Sequence, residues 1–417
     1  MLQRIRKILS QKKGAVAVLL MCIMGSFILI ISVLVAASVS ASGKSYADAA
    51  FQLSGKSILS EYDRKLLDEY GLLCFRGDET DIKNKIKYYT NGSFDKNQVI
   101  YSGLTSNKDR VDLMKMNLSD VDVTLKEYSM VNVDLYEDQI KEALKTTLFK
   151  DKKRIVSDNN DGRILKNEIV IESLPSSGYE KSFFPDFTDA ANIPSWEEVK
   201  NRSTNKFARC EYALNVFKYA NGGGLDKKTF FNNEIEYILE GKLSDKKNYA
   251  AVKAKLITMR YSLNAVYLLT DKAKMAMITA HAAATGPATP AAQAIIFAAW
   301  VAAETDNDIG LLEKGDNVAL LKTSANWALN DIVKVMEELS SENVVNPGSK
   351  NGLSYNDYLR LLLYSSNREV TLLRMMDLTQ INMKGVYYRD FLLKEYYAGF
   401  RFKSVVKGDG FNYVQHY

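Results

Sequence analysis

The chain has 417 residues, 47% of them hydrophobic and 11% aromatic, a composition that excludes intrinsic disorder and allows one large or two ordinary domains. The net charge of +5 does not make it a polyanion binder: five of the 55 basic residues and none of the 50 acids lie in residues 1–43, so the rest balances at 50 against 50. Of three cysteines, Cys74 and Cys210 lie beyond the first apolar stretch, too few for a disulfide framework and too far apart for a zinc spacing; one bridge between them and two separate buried thiols both fit.

Residues 1–13 form a basic stub with Arg4, Arg6, Lys7, Lys12 and Lys13. Residues 14–43 carry no charged side chain. A hydrocarbon core about 30 Å thick needs roughly 20 apolar residues, so this stretch is long enough to span it. The basic flank predicts a single-pass protein of the cell membrane, with a cytoplasmic N-terminus and residues 44–417 extracytoplasmic. A cleavable secretory signal has an apolar region of about 7–15 residues. The longer stretch here favours an anchor, although Val39, Ser40 and Ala41 would serve as a small-residue cleavage site.

Helical spacing continues through Tyr46, Ala50, Leu53, Ser57, Tyr62, Leu66 and Tyr70 to Gly71, which predicts a stalk helix over 44–71. Together with the membrane segment it would make one helix of about 55 residues. Its apolar stripe calls for cover, either from the same chain or from a neighbouring subunit.

Residues 72–205 read as a mixed α/β part. A helix is expected over Asp78 to Tyr89, a turn at Asn91-Gly92, a strand through Val121, Val123 and Leu125, and a helix from Leu135 to Phe149. Asp158 to Gly162 signals a turn before the strand-like Ile169-Val170-Ile171, and residues 175–205, with Pro175, Pro185 and Pro194, read as a long loop or linker.

Residues 206–417 read as mainly helical with C-terminal strands. Phe231 to Leu239 is a short apolar run closed by Gly241. Tyr249 to Leu269 has a helical period through Val252, Leu256, Met259, Leu263, Val266 and Leu269. Ala273 to Ala303 is Ala-rich and broken at Thr285 to Pro290, which predicts a close-packed helical hairpin. A second membrane hairpin is the sharper reading of that stretch, but the arms are short for a span and include or border His281, Lys272 and Lys274. Leu353 to Met383 is helical again. Tyr387 to Val406 and Phe411 to Tyr417 read as strands around a Gly408-Asp409-Gly410 turn. The fold class expected is therefore α+β, with a single N-terminal membrane helix, a stalk, a mixed part, a helical second half and a C-terminal β hairpin.

Motifs for chemistry are sparse. The two histidines, His281 and His416, form no triad or metal cluster with their neighbours, and His281 reads as a hydrogen-bonded core residue. There is no Walker A loop, dinucleotide fingerprint or nucleophile elbow. Ser157-Asp158-Asn159, Ser203 to Lys206 and Lys322-Thr323-Ser324 imitate penicillin-interacting motifs, but in the wrong order. Ser157 to Glu168 approximates a calcium loop through Asn159, Asp161, Gly162, Ile164 and Glu168, yet its first position is Ser157, where a carboxylate is needed. No catalytic, cofactor or metal residue is assigned. A membrane-tethered hydrolase acting on cell-wall or surface polymers needs only two carboxylates, and Glu304, Asp306 and Asp308 after Trp300 are where these would be sought, helix-end solvation being the simpler reading of the three.

The basic stub, Lys13 to Val18, the single membrane helix and the Tyr-rich helix that follows resemble the TadE/TadG-like proteins of tight-adherence pilus loci, in an uncharacterised bacterial branch. Ser60 to Asp63 with Leu66, Leu67, Tyr70 and Gly71 carry the resemblance further, as do Glu234 to Gly241, Arg260 with Asn264, Ala299, Trp300, Ala303 and Glu304, and Tyr355 to Leu363. The resemblance implies a non-enzymatic minor-pilin-like protein or assembly factor. It needs no cofactor, small-molecule substrate or nucleic acid, and its partners are other pilus subunits met through the membrane and stalk helix. It also implies a processing point between Gly14 and Ala15, where Leu19 stands in place of the Glu such a signal favours, and there is no DxSxS adhesion motif.

Overall fold

The computed structural model describes residues 12–95, 99–100, 110–111, 116–148, 173–177, 196–220, 222, 228–337, 344–347 and 352–417. The helices are α1 (Lys12–Leu59), α2 (Arg64–Tyr70), α3 (Glu79–Asp95), α4 (Val133–Leu148), α5 (Trp196–Val216), α6 (Glu234–Glu240), α7 (Asp245–Thr270), α8 (Lys272–Ala283), α9 (Thr289–Glu313), α10 (Ile332–Glu337), α11 (Tyr355–Ser365) and α12 (Arg368–Val386). The strands are β1 (Phe75–Arg76), β2 (Val99–Ile100), β3 (Arg110–Val111), β4 (Leu118–Thr124), β5 (Tyr396–Tyr397), β6 (Gly399–Val406) and β7 (Asp409–His416). The fold is α+β. The chain divides into two compact units, one of Met1–Asp63, Cys74–Ser129 and Glu395–Tyr417, the other of Arg64–Leu73 and Met130–Lys394. The division expected from the sequence, 72–205 against 206–417, differs because β4 pairs with β6, so distant parts of the chain share one sheet.

The first unit is built on α1. From Val16 to Ser38 every residue is exposed, and this half is long and apolar enough to cross a membrane, with a mean hydropathy of 2.9. The outer half buries one face through Ala47, Ala50, Phe51, Ser54 and Ile58. Phe51 is the centre of that face, its ring 5.4 Å from Phe411, 5.8 Å from Tyr413, 6.1 Å from Phe402 and 6.4 Å from Phe94. The sheet it meets has the order β4-β6-β7, antiparallel, with Val123 opposite Phe402 and Phe402 opposite Tyr413. Gly55 lets β7 approach, since a Cβ there would lie 2.7 Å from Cγ of Gln415. Down the same helix Lys44 meets Asp409 at 3.0 Å, Asp48 accepts from Tyr413 at 2.5 Å, and Tyr417 donates to the Leu59 carbonyl. The face of the stalk through Ala47, Ala50, Phe51, Ser54 and Ile58 is therefore covered by its own chain, whereas Leu53, expected on the apolar stripe, is exposed.

Three local expectations are corrected in this unit. The stalk helix ends at Leu59 instead of Gly71: Ser60 and Asp63 favour turns and caps, and the Asp63 N–H donates to Cys74 O at 2.8 Å. Leu66, expected on the stripe, is buried in the other unit, where Gly71, at φ 68°, ends the separate α2. Asn91-Gly92 is not a turn but lies in α3, on an exposed face near its end where the loss of helix propensity is tolerated. The hairpin turn is Lys407-Gly408, both at positive φ as a two-residue primed turn requires, so Asp409 and Gly410 already belong to β7.

The second unit, as described, is helical. At its centre α12 is buried on all faces from Val370 to Met383, and its polar side chains are each satisfied. Asp377 accepts from Ser176 N and Tyr237 OH, Gln380 bonds Ser173 O and Leu393 N, and Asn382 bonds Phe230 N and Glu234. The Leu353 to Met383 run is two helices, because the side chain of Asn367 caps α12 by accepting from Glu369 N and Val370 N. The long loop expected over 175–205 is helical from Trp196. The Ala-rich hairpin is α8 and α9, joined through Gly286 at φ 58°, with Pro290 in the first turn of α9. The Asp158–Gly162 turn, the Ile169 to Ile171 strand and the calcium-like loop Ser157 to Glu168 lie outside the described residues.

Candidate functional site

The densest chemistry in the second unit is a cluster of four buried charges. On α7 the buried row is Val252, Leu256, Arg260, Asn264 and Leu268, each four residues from the next and so aligned on one face of a helix. This is not the face expected from the apolar period: Val266 and Leu269 are 62% and 61% exposed. On α9 the corresponding row is Trp300, Glu304, Asp308 and Leu312. Each helix thus carries polar groups in the middle of an otherwise apolar contact.

Arg260 uses all three nitrogens. Nε and Nη2 reach Asp308 Oδ2 at 3.0 and 2.8 Å, Nη2 also reaches Asn264 Oδ1 at 3.0 Å, and Nη1 donates to the Ala319 and Leu320 carbonyls and to Tyr358 OH on α11. Lys322 supplies the second cation: Nζ lies 2.5 Å from Glu304 Oε1 and 2.7 Å from Asp308 Oδ1, and it donates to Asn326 O. Glu304 also accepts from the Ala328 and Leu329 N–H groups at 2.9 Å. Asn264 closes the network on Asp308 and Thr305. Arg260, Glu304 and Asp308 are fully buried, and the two cations balance the two anions. Isolated, each such charge would cost several kcal/mol to bury; paired and saturated with hydrogen bonds, they hold α7, α9, α11 and the 318–330 segment in one register.

This geometry fits a structural clasp and leaves no acid or base to spend on a substrate. Every carboxylate oxygen of Glu304 and Asp308 already accepts at least one hydrogen bond, and neither residue reaches solvent. A hydrolytic pair needs one carboxyl with a proton to give and both facing a cleft. The expectation of helix-end solvation is likewise overturned for these two, because α9 runs on to Glu313 and the rows described above bury them; Asp306, between them on the other face, is exposed. Lys322, met in the sequence only as part of a false motif, is the buried cation, and Ser203 of that motif stands on α5.

A second polar group surrounds α6. Glu234 accepts from Lys218 N at 2.9 Å and from Asn382 Nδ2 at 2.6 Å, and Asn382 also donates to Tyr70 OH. Burial, and then Glu234, push the Tyr70 phenol well above its usual range. Glu236 accepts from Ala220 N and Tyr355 OH through Oε1, while Oε2 is buried without a partner. Burial raises its carboxyl, with Tyr355 and backbone N–H groups pulling the other way. Gly241 closes α6 at φ 69°, with the side chain of Arg374 against it, as the expected cap requires.

The remaining candidates are dispersed. Cys74 and Cys210 are both free and buried; burial raises both thiols, that of Cys210 to about 11, so neither is a ready nucleophile. His281 is not in a core: it is exposed on α8, bonded to Met277 O, and His416 is exposed on β7. Gly14 and Ala15 lie in the first turn of α1. No group of three or more metal-ligating side chains occurs among the described residues. Four of the sequence stretches singled out above do meet: Arg260 and Asn264, Glu304, and Tyr358 share the first cluster, while Glu236 and Tyr355 share the second.

Residues 133–408 match the model of a family of unknown function (DUF5702). No curated protein and no solved structure matches the chain.

Proposed function

We propose that this chain, which belongs to the DUF5702 family, is a non-enzymatic, membrane-anchored extracytoplasmic protein, a minor-pilin-like subunit or assembly component of a Tad-type pilus or secretion system. The observation that carries the reading is α1 itself. One unbroken helix is apolar and uncovered from Val16 to Ser38, then packs through Phe51 onto an antiparallel sheet of its own chain. Such a helix couples whatever binds it in the membrane rigidly to the folded part outside. Ala36, Ala37, Ser38, Ser40 and Ala41 are small residues that let a neighbouring helix approach closely. Five basic residues before the apolar half set the N-terminus in the cytoplasm, and the resemblance of Lys13 to Val18 and the following helix to TadE/TadG-like proteins supplies the system.

Of the three residues named for the hydrolase alternative, Glu304 and Asp308 are neutralised by Lys322 and Arg260 inside the fold, which speaks against their use as a catalytic pair, while Asp306 is exposed. The test is direct. Residues 44–417, incubated with purified cell-wall glycans and peptides, should release no product above the level of a heat-unfolded control. Turnover that survives purification would overturn the non-enzymatic reading.

A further inference from the structure

The hairpin of α8 and α9 presents an uncovered apolar surface. From Met275 to Ala303 there is no Asp, Glu, Lys or Arg. Within the second unit one face of the hairpin is packed along its length: Ile278, Ala282, Ile296 and Trp300 are buried in a cluster with Trp327. The other face and the turn are bare, with Met277 45% and Ile295 67% exposed and Ala283, Ala284, Gly286, Pro287 and Ala288 all on the surface. An 18-residue window within Gly286–Glu313 is apolar enough to pass for a membrane span at a mean hydropathy of 1.2, and 17% of that window is buried, the burial of α9 being concentrated from Trp300 onward.

We propose that the tip of this hairpin inserts into one leaflet of a lipid bilayer. The occupant follows from charge, length and setting. A protein surface facing water is dotted with charges, whereas a hydrocarbon phase rejects them, and this exposed tip has none. Met275 to Thr285 rises about 16 Å at 1.5 Å per residue, at most one leaflet of a core about 30 Å thick, and since Ile278 and Ala282 stay packed on the protein only the outer face and the turn are free to meet lipid. The threonine hydroxyls of the hairpin present no free donor to lipid: Thr285 Oγ1 donates to Ala282 O, Thr289 Oγ1 to Gly286 O and Thr279 Oγ1 to Met275 O. His281 Nδ1 bonds Met277 O, and Gln293 donates to Thr279. Charge resumes at the base, where Lys272 is exposed and Lys274 bonds Asn330, a polar level at which insertion stops. The apolar half of α1 is read above as a membrane anchor, so a bilayer is a surface that this chain meets. The proposal draws on the membrane anchoring read above but not on the pilus role.

The experiment uses the full chain in vesicles of phosphatidylcholine and phosphatidylglycerol. Cys22 is replaced by Ser, Cys74 and Cys210 being buried, and one nitroxide is placed in turn at Ala284→Cys, Ala288→Cys, Ala37→Cys or Ala254→Cys. Collision with oxygen and with a water-soluble nickel complex is then measured. Labels at 284 and 288 should meet oxygen freely and nickel at least fivefold less than the label at 254. Equal nickel access at 284, 288 and 254 overturns the proposal. So does low access to both reagents at the tip, the signature of a protein partner or a second copy. The label at 37 reports separately whether the anchor itself is in lipid.

Discussion

Lys322 shows how the buried cluster works at the level of one side chain. Its Nζ holds Glu304 and Asp308, while Arg260 holds only Asp308. Lys322→Met should therefore strand Glu304 as an uncompensated buried charge and destabilise the second unit by about 3–5 kcal/mol. Adding Glu304→Gln should recover part of that loss, so the double variant in urea unfolding falls short of the sum of the singles. Additive losses would mean that the pair does not interact. Glu236 is the opposite case, a buried acid with Oε2 unpartnered. Burial raises its folded carboxyl above the ordinary 4.5, so its contribution favours the fold at acid pH and is lost as pH rises through the folded value. Glu236→Gln should therefore gain stability relative to the native chain from about pH 4.5 upward, levelling once the native carboxyl is ionised. A difference between the two proteins that stays constant from pH 4 to 8 in urea titrations would contradict this.

At the scale of elements, α1 and the sheet make the sharpest contrast. Phe51 is fully buried among four rings, whereas Leu53, two residues on, is 58% exposed. Phe51→Ala should cost about 3–5 kcal/mol of stability in the first unit, and Leu53→Asp less than about 0.5 kcal/mol. Thermal unfolding of both variants checks the pair; equal effects would mean that α1 is not docked on the sheet. Most elements were legible in the sequence, including α1 though not its end at Leu59, α4, α7, the α8–α9 hairpin and the C-terminal strands, because period and punctuation are local properties. The face of α7 was not. Counting apolar residues selects Val266 and Leu269, while the buried row carries Arg260 and Asn264, whose partners Asp308, Lys322 and Tyr358 are far along the chain. The available signal was the fourfold spacing itself: a charged residue in line with Val252, Leu256 and Leu268 on α7, and another in line with Trp300 and Leu312 on α9, points to a buried pair.

For the whole molecule, the order of the chain matters more than its length. The first unit joins α1 to Glu395–Tyr417, so the helix and the strands that cover it lie more than 300 residues apart in the chain. The family match covers residues 133–408 and supplies no activity, so the account rests on what α1 meets in the membrane. The most direct measurement places a photo-reactive amino acid at Ala36 or Ala37 of the full chain in living cells and identifies the adducts. The account predicts discrete protein adducts with pilin-like subunits or a second copy of this chain, absent when the reactive group is at Lys56 on the outer half. Adducts with lipid alone at both membrane positions would contradict it.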